Sequence, residues 1–368
     1  HPVFDAKNNV SYLVPFGQDI TERRKAERAL SMVNECNALL LRVDDEQRLL
    51  QNICQLIMSR GGYDLVWVGY ACHDHQKTIK PQAYAGVTQP ALTGYLSWSA
   101  ESEEGKCPSG QCIRLNKSIL CQEVQKADWV SDNFKTEAGN RGLCGGVALP
   151  LRNKDGLAFG SLSIVSSKPF DITTDELRLL ESLAENLSYG IRNLRVQQEN
   201  KDILSIIYQI ADMVSLSTGE RFYQQLMLAV TNALEAEVGF ITRVKVDDRL
   251  MTRSVALVVD GKLQDNIDIP IDGTPCAQLS EINKEWIVSS CVISKYPMAE
   301  GLKMFGAESY MGRRIENSKG EYIGQIVLLF RKPLLDTALI SAVFKVFAAR
   351  VAAEFERQIP EDDHVYKI

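Results

Sequence analysis

The stretch LRNKDGLAFGSLSIVSSKP (Leu151–Pro169) returns later in the chain as IENSKGEYIGQIVLLFRKP (Ile315–Pro333). Asn153 aligns with Asn317, Gly156 with Gly320, Gly160 with Gly324, and Lys168-Pro169 with Lys332-Pro333, at one constant offset and without a gap. Each copy reads as strand, tight turn, strand. Asp155-Gly156 and Lys319-Gly320 supply positions where a positive φ is tolerated. The strand that follows is apolar and β-branched, and the Pro after it ends the pairing. Two such hairpins with identical internal spacing predict a duplicated domain.

Working outward, Ala26, Ala29, Val33, Cys36, Leu40 and Val43 alternate steps of three and four, the a/d spacing of a short coiled-coil seam. Glu, Lys and Arg flank that stripe, so it is expected to meet a partner helix rather than only its own domain. EQRLLQNICQLIMSR predicts a second helix ending at Gly61-Gly62. YDLVWVGYAC (63–72) and IKPQAYAG (79–86) read as paired strands, and YLSWS (95–99) as another extended stretch. CPSGQCIRLNKS (107–118) reads as a short helix in a loop, ILCQEV as a strand, and DWVSDNFKTEAGNRG (128–142) as irregular. DITTDELRLLESLAENLSYGIRNLRV (171–196) is a long amphipathic helix capped by Asp171 or Thr173. QQENKD, with no Pro or Gly, carries it on into ILSIIYQIADMVS as one near-continuous helix. The second copy repeats the series: a helix over Leu216–Leu234, strands at VGFITRVKV, RSVALVVDG and EWIVSSC, a loop to FGAESYMGRRI, the repeated hairpin, and a terminal helix. The stripe of that helix includes Ile340, Val343, Phe347 and Val351.

The bulk properties fit this plan. A chain of 368 residues with 45% apolar and 24% charged content is long enough for two globular domains. A net charge of −6 supplies no basic field for nucleic acid or anionic lipid, and no apolar run reaches bilayer length. The chain begins with His1, as expected of an excised fragment, so the lack of a signal peptide carries little weight. Nine cysteines are an odd number for a secreted disulfide framework; most are expected to be reduced, buried small hydrophobes in a cytoplasmic protein.

Both copies resemble the GAF family of small-molecule-sensing modules. In the first, RGGYDLVWVGYA, GQCIRLNKSILCQEV and GGVALPLRNKDGLAFGSLSI carry the likeness; in the second, Gly273-Thr274-Pro275-Cys276, Ala307–Gly312, Gly320 with Gly324, and FAARVAAEFER. VSYLVPFGQDI followed by DITERRKAERAL resembles the end of a PAS domain. The resemblance implies an α+β fold: two GAF-like domains, each a central antiparallel sheet with helices on one face, joined by a long helix. The expected division is a PAS remnant (1–20), a connecting helix (21–44), a first GAF domain (45–195), a linker helix (196–216), a second GAF domain (217–358) and a tail (359–368). It further implies the sensory region of a bacterial signalling protein. That region is expected to form a homodimer through its connecting helices and to control a kinase, cyclase or phosphodiesterase output outside this chain.

The residues that bear chemistry are fewer. Candidate ligand contacts are Trp98, Cys112, Trp129 and Phe134 in the first copy and Cys276, Tyr310 and Arg313 in the second. The aromatics at 98, 129 and 134 flank loops over the open face, where they line a pocket or plug the core. Gly110-Gln111-Cys112-Ile113 has no His, which departs from the Cys-His pair of bilin-carrying relatives. Asn153-Lys154, Phe170 and Asp175-Glu176 echo a cyclic-nucleotide signature but are out of register with it. Cys72, His73 and His75 lack a fourth metal ligand at suitable spacing and read as a solvated turn. Cys107, Cys112, Cys121 and Cys144 leave open a cysteine-based redox enzyme or sensor, which needs a low-pKa thiolate. Degenerate pockets on a dimerisation spacer form a third reading. No catalytic motif and no metal site is expected, and no cofactor is assigned.

Overall fold

The computed structural model describes residues 2–4, 10–13, 21–86, 96–245, 251–279, 282–335 and 337–358, with side chains from Glu27 onward. Residues 5–9, the VPFGQDI part of the PAS-like stretch and the tail 359–368 lie outside these residues. The chain separates into two units, His1–Gln198 and Glu199–Ile368.

In the first unit, β1 (Pro2–Phe4) and β2 (Val10–Leu13) form an antiparallel pair of their own. Then come α1 (Thr21–Leu40) and α2 (Glu46–Gly61). The Asp45 carboxylate accepts the Arg48 N–H at 2.7 Å to start α2, and Gly62, at φ 75°, ends it. β3 (Leu65–Ala71), β4 (Ile79–Gly86), α3 (Pro108–Leu115), β5 (Ile119–Cys121), α4 (Asp132–Asn140), β6 (Gly145–Arg152), β7 (Ala158–Ser166) and α5 (Thr174–Val214) follow. The strands form one antiparallel sheet in the order β4-β3-β7-β6-β5. Alternation along the strands divides two cores. Val66, Val68, Leu149, Leu162 and Ile164 meet α1, α2 and α5 on one face; Leu65 and Trp67 meet Cys107 and Ile113 on the other.

Two expectations change. Met32, Val33 and Cys36 of α1 are buried in the unit's own core with Leu49 and Ile53 of α2, so this part of the stripe is spent on intramolecular packing and is closed to a partner helix. Ala26 lies outside the described side chains. Residues 132–140, read as irregular, form α4, because Ser131 Oγ accepts the Phe134 N–H and caps a turn that the polar composition hid. The start of α5 follows the sequence more closely: Thr173 and Glu176 exchange backbone bonds at 3.2 and 2.9 Å as a capping box. Farther along, Arg195 grips Glu46 with two bonds of 2.8 Å while lying 4.9 Å over the Tyr70 ring, which holds α5 against α2 and β3. The open edge at β4 is covered as well: Gln47 and Gln51 of α2 donate to the Gln82 and Tyr84 carbonyls at 2.6 and 2.9 Å.

The second unit contains α6 (Gly219–Ala233), β8 (Val238–Val244), β9 (Met251–Val259), β10 (Lys262–Gln264), β11 (Asp268–Pro270), β12 (Glu285–Val288), α7 (Val292–Lys295), α8 (Glu300–Phe305), β13 (Ser309–Glu316), β14 (Tyr322–Phe330) and α9 (Ala338–Arg357). Its sheet runs β10-β9-β8-β14-β13-β12, with β11 also on β9. α6, α9 and the last turns of α5 cover one face through Ile210, Leu226, Phe344, Phe347 and Val351. The expected loop before FGAESYMGRRI instead holds α7 and α8. Both are too short to show a helical period.

The two hairpins that opened the sequence reading, β6–β7 and β13–β14, occupy equivalent places. Each second strand is central in its sheet, and each hairpin has a bulge at the same point. In each turn the Asn side chain, Asn153 or Asn317, accepts two backbone N–H bonds of 2.8–3.0 Å. The Gly that follows stands at φ 78° or 81°. Gly160 and Gly324 then pass their neighbours so closely that an added Cβ would lie 2.4 Å from the Gly69 carbonyl oxygen and 2.0 Å from that of Thr242.

Gly160→Ala and Gly324→Ala should each destabilise the unit that carries it by about 1–3 kcal/mol or more, since rigid backbone opposes the methyl; denaturant unfolding followed unit by unit checks this. A second expectation concerns Glu354, whose side chain is 1% exposed. Arg357 and the Gly219 N–H at the head of α6 hold its carboxyl below the ordinary 4.5. Its stabilising contribution is therefore full near neutrality and lost as pH falls through the lowered folded value. Glu354→Gln should lower the melting temperature at pH 7, and the gap from wild type should close in acid.

Candidate functional site

A cavity of about 390 Å³ lies on the face of the second sheet opposite its long helices. Phe240, Leu329 and Tyr310 form its floor, from β8, β14 and β13. One wall is the run from Ile267 to Cys276, ending in a 3₁₀ turn (Pro275–Gln278) that Thr274 caps by accepting the Cys276 N–H at 3.2 Å. The other wall is Met298–Phe305, including α8, whose Leu302 turns inward. The lining is mostly apolar, with Asp268, Asp272 and Glu300 among it. Asp268 is held by Lys245 and Arg253, at 2.9 and 3.1 Å, and these keep its carboxyl below the usual range. Met298 and Met304 are 82% and 74% exposed, an apolar fringe that can adapt to a guest.

At the corresponding place in the first unit, the cavity between described residues is about 40 Å³. Trp67 stands at the register position of Phe240, and Phe134 and Leu143 close the space beside it. The larger indole and the α4 aromatic fill what the second unit leaves empty.

The sequence candidates separate accordingly. Cys276 and Tyr310 line the large cavity, and the Tyr310 hydroxyl donates to Cys276 Sγ at 3.4 Å. Phe134 lines the small one. Trp98 lines neither: its indole N–H donates to the Cys72 carbonyl at 2.8 Å, and Lys77 and His73 pack on its ring, so it braces the β3–β4 turn. Trp129 is 37% exposed, and its carbonyl accepts a long bond from Gln111. Cys112 is sealed inside α3. Arg313 points to the helix side of the sheet, where Glu285 binds it at 2.8 Å, because alternation along β13 gives the cavity side to Tyr310. Sequence reading missed Phe240 and Leu302; Phe240 sits in a strand that looked like plain core, and Leu302 in a helix too short to register.

The six buried thiols are not poised for reaction. Burial pushes Cys107 and Cys121 up to about 11 and Cys36 and Cys54 to about 12, and raises Cys112 and Cys276. A nucleophilic or redox cysteine requires the opposite shift.

Residues 43–192 match the GAF domain family model. The matched segment lies within the first unit and is less than half of the chain. No curated protein matches the chain. Among solved structures, the free methionine-R-sulfoxide reductase of Neisseria meningitidis in complex with its substrate shares 15% identity, covering 50% of this chain and 98% of its own, at a TM-score of 0.39. The GAF domain of a Coxiella burnetii phosphoenolpyruvate-protein phosphotransferase shares 15%, covering 47% and 98%, at 0.40. The type II free methionine-R-sulfoxide reductase of Thermoplasma acidophilum shares 15%, covering 40% and 92%, at 0.33. Among the described residues no helix is long and apolar enough to cross a membrane.

With a thiol-reactive disulfide at pH 8, the native chain should react quickly at exposed Cys291 and more slowly at half-buried Cys72 and Cys144. The six buried cysteines should react only on unfolding. Rapid modification of Cys107 or Cys112 in the folded protein would contradict this.

Proposed function

We propose that this chain is the sensory region of a signalling protein, and that its second unit is a further GAF-type domain that receives a small, largely apolar ligand. The carrying observation is the contrast between a cavity of about 390 Å³ over the second sheet and one of about 40 Å³ at the same place in the GAF domain of the first. The larger volume lies in the range of small-molecule sites, and the smaller holds little more than a water. In this reading the first unit is a packed module and the second is the receiver. The residues before α1 are the end of a PAS domain, and the output domain lies outside this chain. Ligand bound between α8 and the 3₁₀ turn acts by favouring one arrangement of those walls, which requires differential affinity for two states. A homodimer carries the signal onward; exposed Tyr189, Val196 and Leu204 on α5 support that association. The raised thiol values weigh against the redox alternative.

The neutral dye N-phenyl-1-naphthylamine should gain fluorescence on the full chain. Leu302→Trp, which fills the cavity, should weaken its binding at least tenfold, while Ala148→Trp in the first unit should leave binding unchanged. An equal response from wild type and Leu302→Trp would overturn the assignment.

A further inference from the structure

Beyond the cavity floor, one step along the same face of the second sheet, three polar side chains lie in a row across adjacent strands. Thr242 of β8 pairs in register with Gln325 of β14, which pairs with Arg314 of β13. Alternation places them on the face of Phe240 and Tyr310, about 7 Å along the strands from the first and about 14 Å from the second. All three are buried: Thr242 and Gln325 at 0% and Arg314 at 6% exposure. Among the described residues, Thr242 Oγ1 and Arg314 Nε lack a hydrogen-bond partner, and Gln325 Nε2 has no nitrogen or oxygen partner, only the Cys276 thiol nearby. The amide and guanidinium nitrogens can only donate and the Thr242 hydroxyl can do either, so donors outnumber acceptors along the row.

The local charge points the same way. Arg314 Nε lies 3.0 Å from Glu316 Oε1 without the alignment of a hydrogen bond, and the same carboxylate also holds Lys284 at 2.7 Å. Two cations therefore share one anion. The Tyr322 hydroxyl donates to Gln325 Oε1 at 3.1 Å, and its ring lies under the Arg314 guanidinium, so its own proton is spent within the row. Leaving buried donors unmet costs stability, and a fold retains such groups most readily where something else supplies the acceptor. At the same register positions the first unit has Gly69, Ser161 and Pro150. Ser161 Oγ is unpartnered too, but Gly69 and Pro150 bring no side-chain donor.

Cys276 connects the row to the cavity. It lines the cavity, accepts from Tyr310, and lies near enough to Gln325 for that amide to favour its thiolate against the burial that raises it. The 3₁₀ turn that carries Cys276 thus borders the apolar chamber on one side and the row, at Gln325, on the other.

We propose that the ligand of the second unit is an amphipathic monocarboxylate, its apolar body over Phe240, Tyr310 and Leu329 and its carboxylate against Thr242, Gln325 and Arg314 after the Pro275–Gln278 turn moves aside. This rests on the second unit being the receiver. Asp272 and Glu300 in the cavity lining oppose a second negative charge on the ligand. The turn is the element that reports occupancy, because the carboxylate reaches the row only by displacing it.

The test is displacement of N-phenyl-1-naphthylamine from the full chain by octanoate, octanol and suberate. Octanoate should compete at least tenfold better than octanol and than the dicarboxylate suberate. Arg314→Met should abolish the preference over octanol while leaving octanol competition unchanged. In case Arg314→Met does not fold, Thr242→Val serves as the second variant: it should raise the melting temperature of the ligand-free chain, by removing an unmet donor, and weaken octanoate severalfold. Equal competition by octanoate and octanol, or octanoate binding untouched by both substitutions, would show that water satisfies the row and would overturn the proposal while leaving the receiver assignment standing. Failure of the dye itself to bind would sink the receiver assignment instead.

Discussion

Each sheet is organised by a central strand that approaches its neighbour too closely for any side chain. At Gly160 and Gly324 the neighbouring carbonyl oxygen occupies the space a Cβ would take. That contact sets the register of the β7–β3 and β14–β8 pairs, and register decides which residues face the helices and which face the loops. A slip of one residue would turn Leu328 and Ile326 outward and drive Gln325 and Val327 into the helical core. The two cores of each unit, and the cavity of the second, are consequences of that alignment.

The hairpins were legible in the sequence because their signals are local. Asn153 and Asn317 bind their own turns, and Gly156 and Gly320 meet a backbone demand that few other residues satisfy. The helices were legible where they were long: α2, α5 and α9 display a full apolar stripe, and Thr173 with Glu176 marks a helix start in four residues. α4, α7 and α8 left little trace, since a helix of fewer than three turns barely exhibits a period and its formation rests on caps and tertiary contact. The stripe of α1 was visible, but its destination was not. Spacing says that Val33 and Cys36 are buried, and only packing says against what.

The site divides in the same manner. Cys276 and Tyr310 were found through a motif, and both line the cavity. Trp98 and Arg313 were not placed there, because an indole N–H seeking a carbonyl and a guanidinium seeking a carboxylate each found a partner away from it. Whether an aromatic lines a chamber or fills it depends on a volume difference of the kind between Trp67 and Phe240. Pattern cannot express that difference, because both residues read simply as apolar. Arg314 illustrates the converse. It is a charge in a strand otherwise suited to apolar residues, and its burial gives that oddity a physical meaning.

The outer margins of the two sheets carry a consequence of their own. In the first unit, Lys80 and Pro81 lie on the exposed border strand, and Gln47 and Gln51 occupy two of its carbonyls. In the second, β10 and β11 take up the border of β9 as two short pieces, parted at Asp265–Ile267 where Ser254 bonds to the backbone instead. Neither margin offers a long, flat, vacant ladder to a passing chain. Proteins rich in apolar strands are prone to stack into fibrils through such margins, and at these two borders that route is obstructed by two unrelated devices.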